Sequence, residues 1–329
     1  MPSTGHPVPP AQLLPVAAPA QQQLPPLWLG TWSLAGVGFG RVDQRQSARL
    51  IDEALAHGWT HLDTAALYAR GDAERLVGRC IRGGRQGVFI SSKGGLRWQG
   101  NEVRHAAGGA ALREDLEGSL RRLGTDYLDL YQLHWPDPQT PIEQSLDALR
   151  RFQDEGLIRG WGVCNFDAQQ VRQHLPPQAR VVHQVHISAV HRCADVLRAG
   201  YEEGRAFHCA TSPLEQGLLG DGQGRAALRD LGNKDVRRRN RLFHDAGAVA
   251  WAAQFHRLCA AARLSPVAVA LAWVCSEAHI DAVIIGPKTP QQLQTLLAIL
   301  QHFAGDAAGW LADAADETLT HWLQQGAVS

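Results

Sequence analysis

Eight short apolar runs, each followed by a helical pattern, recur along this chain, and that alternation restricts it to folds built on a parallel sheet with crossover helices. The runs are LWLGTW (27–32), WTHLD (59–63), GVFISS (87–92), YLDLYQLH (127–134), IRGWGV (158–163), VVHQV (181–185), FHCAT (207–211) and AVIIG (282–286). After the first four runs, Leu50, Ile51, Ala54 and Leu55, then Ala73, Leu76, Val77 and Cys80, then Leu112, Leu116, Leu120 and Leu123, then Ile142, Leu146, Leu149 and Phe152 form single helical stripes. Further helices are expected near 168–174, 193–203, 247–262 and 266–276, and one carries Leu293, Leu296, Leu297 and Leu300. Eight such units predict an α/β chain closed as a (β/α)8 TIM barrel, one domain over 27–329, for which 329 residues suffice. A doubly wound open sheet is the rival, but no G-x-G-x-x-G follows the first run; GVGFG (36–40) leads into a polar stretch and reads as a loop. Residues 1–26, rich in Pro, Gln and Ala, read as a flexible tail, and 304–329 as a C-terminal helix and tail over the barrel.

Charge balances, with 32 basic against 32 acidic residues, so the basic footprint of a nucleic-acid or anionic-membrane binder is absent and a small-molecule partner is expected. The six cysteines, scattered without C-x-x-C pairs, read as reduced thiols. No apolar stretch approaches the roughly 18 residues of a membrane helix, and the N-terminus lacks the pattern of a signal peptide. A cytoplasmic chain is expected.

In such a barrel, reactive groups belong where strands end and the following loops begin. Asp63 closes the second run, Tyr68 lies in the loop after it, Lys93 ends the third in SSKGG, and His134 ends the fourth in LYQLHWPDP. Each alone has an ordinary structural explanation, as a cap, a packed ring, a solvated lysine or a core histidine. Together they form a proton-transfer set. A neighbouring ammonium favours the phenolate and lowers the tyrosine pKa from about 10, Asp63 keeps Lys93 charged and aimed, and His134 hydrogen-bonds a substrate oxygen. Trp32, Trp98 and Trp135 sit near strand ends and are candidate walls of an apolar substrate pocket, Trp32 and Trp98 foremost. His183 and His186 fall on opposite strand faces, so with His191 they make no shared metal site, and no metal is expected. His186 shares the parity of Gln184. The run RRRNR (237–241) reads more readily as a solvated face than as a phosphate clamp and is assigned no role.

Taken together, LGTWSLAG (29–36), DTAALY (63–68), SSKGG (91–95), DYLDLYQLHWPDP (126–138), GWGVCNF (160–166), TSPLEQGLLG (211–220) and IIGPKTPQQL (284–293) resemble the aldo-keto reductase family over nearly the whole ordered chain. The resemblance implies a monomeric NADPH-dependent reductase of aldehydes or ketones, with Tyr68 protonating the nascent alkoxide and NADP preferred over NAD. It places Cys164, Asn165 and Gln184 at the nicotinamide carboxamide, and Lys288 at the 2′-phosphate, a point-charge role that suits an ammonium. It puts Ser212 and Leu214 along the pyrophosphate, Gln292 at the adenosine, and Thr31, Trp32, Thr211, Pro213, Gln216, Gly217, Gly286 and Thr289 around the cofactor. His134 favours carbonyl over carbon–carbon double-bond reduction. This chain departs from the family at Thr211, where many members carry an aromatic ring that stacks on the nicotinamide, and at Cys164, where serine is commoner. Gln291 and Leu296 replace an acid and an asparagine in the last motif. The same scaffold also serves nucleotide-sensing regulatory modules and alcohol-oxidising or biosynthetic enzymes, which remain alternatives.

Overall fold

The computed structural model describes residues 26–36, 38, 42–221 and 235–325. Expectations for the tail before Pro26, for part of GVGFG (36–40) and for 326–329 lie outside the described residues. Ten strands form: β1 (Leu27–Gly30), β2 (His61–Asp63), β3 (Phe89–Gly94), β4 (Leu96–Gln99), β5 (Glu102–His105), β6 (Leu128–Leu133), β7 (Ile158–Cys164), β8 (Val181–His186), β9 (Ala206–Thr211) and β10 (Ala282–Ile285). Eight of them close a parallel barrel in the order β1-β10-β9-β8-β7-β6-β3-β2, while β4 and β5 pair as an antiparallel hairpin outside it. The eight expected runs supply the eight barrel strands. The hairpin lies in the loop after β3 and has no counterpart in the sequence reading.

Strand alternation sorts the side chains. On one face of β3, β6, β8 and β9 the series Phe89–Ser91–Lys93, Leu130–Gln132, Val182–Gln184–His186 and Phe207–Cys209–Thr211 run from apolar to polar toward the C-terminal strand ends. The apolar members pack with Trp28, Ala282 and Ile284 in a separate buried cluster that fills the base of the barrel. Leu62, Ile90, Leu133, Val163 and Val181 face outward and join the helices in the main core.

Local signals start the helices where the pattern places them. Asp43 caps the helix Gln44–Ala56, Asp167 and Gln170 form a capping box at Ala168–His174, and Ser265 and Thr289 cap helices that begin with Pro266 and Pro290. The C-terminal extension makes two helices, Ala307–Ala314 and Glu317–Gln325; Leu319 and Leu323 are buried beside Trp251, whose ring stacks on Trp322 at 6.0 Å. β3 is tied to its surroundings by a charged chain: Ser92 donates to the fully buried Glu74 (2.6 Å), which also accepts from Arg122 (2.6 Å). Among the described residues no single helix is long and apolar enough to cross a membrane, and all six cysteines are free.

Two histidines are sealed behind the strands. His183 Nε2 accepts from the Phe166 N–H at 3.1 Å, and the His208 ring lies 3.2 Å from the Leu197 carbonyl and 5.3 Å from His183. Burial depresses both rings, His208 to about 4, so the fold holds them neutral. Because the unfolded chain binds these protons near pH 6.5, their contribution to stability is complete above that pH and is lost as pH falls toward 4. The free energy of urea unfolding should therefore drop between pH 7 and pH 5, and His208→Gln should lessen that drop by about 2 kcal/mol.

Candidate active site

β2 and β3 pair with Asp63 opposite Ser91, so Lys93 lies one inward step farther along β3 and its long side chain reaches back. Its ammonium meets Asp63 Oδ1 at 2.6 Å and the Thr64 carbonyl at 2.9 Å, with both side chains all but excluded from solvent. Burial alone pushes the Lys93 pKa down, but Asp63, with Tyr68 and Cys164, outweighs it and leaves the ammonium held above its ordinary value. The second Asp63 oxygen accepts from Gln184 Nε2 at 2.6 Å, and the Asp63 carbonyl accepts from the Thr31 hydroxyl (2.9 Å) and the Thr31 N–H (3.0 Å).

Tyr68 stands over this pair. Lys93 Nζ is 5.3 Å from the centre of its ring, Trp32 stacks on it at 5.9 Å, and His134 meets it edge-on at 5.9 Å. The chain turns sharply just beyond, with Ala69 and Arg70 both left-handed (φ 48° and 56°), a conformation non-glycine residues seldom adopt. The expected lowering of the phenol is corrected here. Burial dominates and raises the Tyr68 pKa to about 12; Lys93 lowers it, but Asp63 and Cys164 raise it again. The ammonium limits the rise rather than producing a net fall.

His134 is neutral for the same reason, since burial first and the Lys93 charge second bring it down to about 3. Its Nδ1 is buried without a protein partner. Asn165, at φ 61°, donates from Nδ2 to the His134 carbonyl (3.0 Å) and from its backbone N–H to the Gln184 carbonyl (3.0 Å), joining the ends of β6, β7 and β8. The Cys164 thiol points at Gln132 Oε1 (3.7 Å), whose amide donates to Ser91 (2.7 Å); burial lifts that thiol to about 12.

The pocket residues separate. Trp98 donates its indole N–H to the Leu67 carbonyl (2.9 Å) beneath the Arg70 guanidinium, 4.6 Å from the ring centre, whereas Trp135 is 45% exposed. Thr211 pairs with His186 in register and donates to the Val185 carbonyl (3.2 Å). Beyond it Ser212, Glu215, Gln216 and Gly217 all take positive φ, and Gln216 Oε1 is buried without a partner. Pro213 and Leu214 lie within this turn, and the Leu214 carbonyl accepts from the Gly217 N–H (2.9 Å). At the end of β10, the Gly286 carbonyl faces the Ser33 hydroxyl (3.5 Å), Thr289 caps the helix Pro290–Phe303, and Gln292 Oε1 accepts from the Lys288 N–H (2.7 Å). Asp235 takes Arg237 bidentately (2.9 and 2.8 Å), and burial, then Arg237, lowers the Lys288 pKa while Asp235 opposes them.

Asp63, Tyr68, Lys93, His134, Cys164, Asn165, Gln184 and Trp32 thus converge at one end of the barrel. A buried acid beside this site has no counterpart among the expected residues. Glu215, within TSPLEQ, accepts from His186 Nε2 (2.8 and 2.9 Å) and from the Ser188 hydroxyl (2.5 Å), pinning the loop after β9 to β8. Its signal was the match between an acid in that loop and a histidine of inward parity. No group of three or more His, Cys, Asp or Glu side chains among the described residues is placed to hold a metal ion.

A nicotinamide cofactor fits the donors and acceptors present. The positive N-terminal end of the helix beginning at Pro290 follows Lys288 directly, a combination suited to a phosphate, and Gln216 Oε1 is buried without a protein partner in the turn after β9.

Comparisons with known proteins agree with this geometry. Residues 26–307 match the model of the Aldo/keto reductase family. The chain is 28% identical over 312 residues, 88% of its length and 94% of the relative's, to the NADH-specific methylglyoxal reductase of Escherichia coli. It is 42% identical to the aldo-keto reductase YhdN of Bacillus subtilis over 145 residues, 44% of each chain, so that match spans less than half of the relative's length. Among solved structures, a glycerol dehydrogenase from Gluconobacter oxydans superposes with TM-score 0.73 at 29% identity, covering 92% of both chains.

The buried pair supplies a test that needs no substrate. Asp63→Asn removes the counterion and strands the Lys93 charge, and should cost about 3–5 kcal/mol in urea unfolding at pH 7. Adding Lys93→Met should recover a large part of that loss, giving a double-mutant cycle with a coupling on the order of 1–3 kcal/mol.

Proposed function

Because the chain belongs to the aldo/keto reductase family and is an NAD(P)-dependent oxidoreductase, we propose that it reduces the carbonyl of a small aldehyde or ketone, with NADPH as the preferred cofactor and Tyr68 as the general acid. The observation that carries this reading is the Asp63–Lys93 pair buried against Tyr68, with a neutral His134 facing the same ring. When bound, the nicotinamide supplies a hydride to the carbonyl carbon. His134, unable to protonate at neutral pH, hydrogen-bonds the carbonyl oxygen and orients it toward Tyr68. As negative charge grows on that oxygen, the Tyr68 O–H gives it a proton, and the alcohol is complete. A phenol near 12 can protonate an alkoxide, a stronger base than a phenolate. The resulting phenolate lies beside the Lys93 ammonium, which Asp63 keeps charged and in place. Trp32 and Trp98 wall the pocket beside Tyr68.

In this reading Asn165, Gln184 and Cys164 lie along the carboxamide end, Ser212 and Leu214 along the pyrophosphate, and Gln292 toward the adenosine. Thr31, Thr211, Pro213, Gln216, Gly217, Gly286 and Thr289 line the same channel. Lys288, with Arg237 near enough to weigh on its charge, supports recognition of a 2′-phosphate. The NADH-specific relative makes this preference the point to test. A second reading, oxidation of a polyol by the reverse steps, is favoured by the 92% overlap with the glycerol dehydrogenase.

Tyr68→Phe should lower kcat for methylglyoxal-dependent NADPH oxidation by about 10²–10⁴-fold while leaving the cofactor Kd, read by fluorescence titration, unchanged. Full turnover in that variant rules out the assigned acid. Lys288→Met should raise KM for NADPH by about ten- to a hundredfold and leave KM for NADH nearly unaltered; equal effects on both cofactors defeat the 2′-phosphate assignment.

A further inference from the structure

β2 and β8 stand diametrically opposite in the ring of eight strands, four steps apart in either direction. The 2.6 Å hydrogen bond from Gln184 Nε2 to Asp63 Oδ2 therefore crosses the lumen, joining side chains that are each 3% exposed. A carboxylate only accepts, so the amide has one orientation, with its NH2 group on Asp63 and Oε1 turned away. Asp63 Oδ1 is committed to Lys93 at the same distance. The carboxylate is thereby held from both sides of the barrel, and its two oxygens cannot exchange without breaking one of these bonds.

We propose that Gln184 is a positioning residue for the reduction, acting through Asp63: its cross-barrel hydrogen bond locks the carboxylate in the rotamer that keeps the Lys93 ammonium beneath Tyr68. This rests on the reading of the site as a carbonyl reductase. It assigns Gln184 a role in the proton-transfer half of the reaction, separate from any contact with a cofactor. A methionine of similar length fills the space without donating, so the carboxylate becomes free to turn and Lys93 loses its fixed anchor. A glutamate can donate only when protonated. Above its pKa it places a second negative charge against Asp63, and below it an O–H restores the bond.

The test uses the full-length protein with saturating NADPH and methylglyoxal. Gln184→Met should lower kcat by about 10²-fold, the scale of a small misplacement of reacting groups, at every pH. Gln184→Glu should be similarly impaired at pH 8 and recover toward wild type as pH falls to 5. The chain has only three lysines, Lys93, Lys234 and Lys288, so the Lys93 side chain is separately visible by NMR of lysine-labelled protein without substrate. Its resonance should move in Gln184→Met while that of Lys288 stays. A rise in cofactor KM alone, with kcat kept and the Lys93 resonance unmoved, overturns the proposal. Absence of carbonyl reduction by the wild-type protein refutes the reductase reading instead. The Lys93 resonance then decides alone, displaced in favour of the positioning role and unmoved against it.

Discussion

A lysine ammonium buried against an aspartate is the constraint around which the upper barrel is arranged. Taking both charges out of water is expensive, and their attraction compensates only when geometry is close and every remaining hydrogen-bonding group is satisfied. Here Lys93 has Asp63 and the Thr64 carbonyl, and Asp63 has Lys93, Gln184 and, through its backbone, Thr31. These partners come from β1, β2, β3 and β8 and the loops that follow them. The pair is therefore sustainable only in the closed barrel, since an open sheet would leave β2 and β8 far apart.

The polar layer above rests on an apolar one below. Trp28, Leu130, Val182, Phe207, Ala282 and Ile284 close the base of the lumen, and Gln132, Ser91 and Cys164 form an intermediate tier between hydrocarbon and ions. The strand β7 makes room with Gly162. A Cβ at Gly162 would come within 2.5 Å of the Val182 carbonyl and 3.1 Å of Gln132, so glycine there lets the Gln132 side chain cross toward Ser91. Low polarity around the ions also explains the direction in which the His134 and Tyr68 pKa values move, whereas that of Lys93 is set by Asp63. Burial holds His134 neutral and Tyr68 protonated, so the site is kept in the forms that donate hydrogen bonds and protons.

The architecture was legible because strand and helix periodicities are local. Leu112, Leu116, Leu120 and Leu123 can line one helical face only at that spacing, and Asp43, Asp167, Ser265 and Thr289 mark helix starts by hydrogen bonds a few residues long. The candidate set Asp63, Tyr68, Lys93 and His134 was legible because strand ends in a parallel barrel share one mouth. Less could be read from the loops. The hairpin β4–β5, which brings Trp98 against Leu67 and Arg70, and the Glu215–His186–Ser188 cluster depend on contacts between segments without sequence periodicity.

Sequence by itself determined the eight βα units, the shared parity of Gln184 and His186, and the chemical types at the barrel mouth, since each follows from spacing along the chain. Tertiary structure alone decided that Gln184 donates across the lumen to Asp63 and that the Tyr68 phenol is raised rather than lowered. The physical reason is that desolvation and cross-barrel distance are properties of the closed assembly. A sequence names the charge beside a phenol, but how much water surrounds both is set by which strands meet when the ring closes.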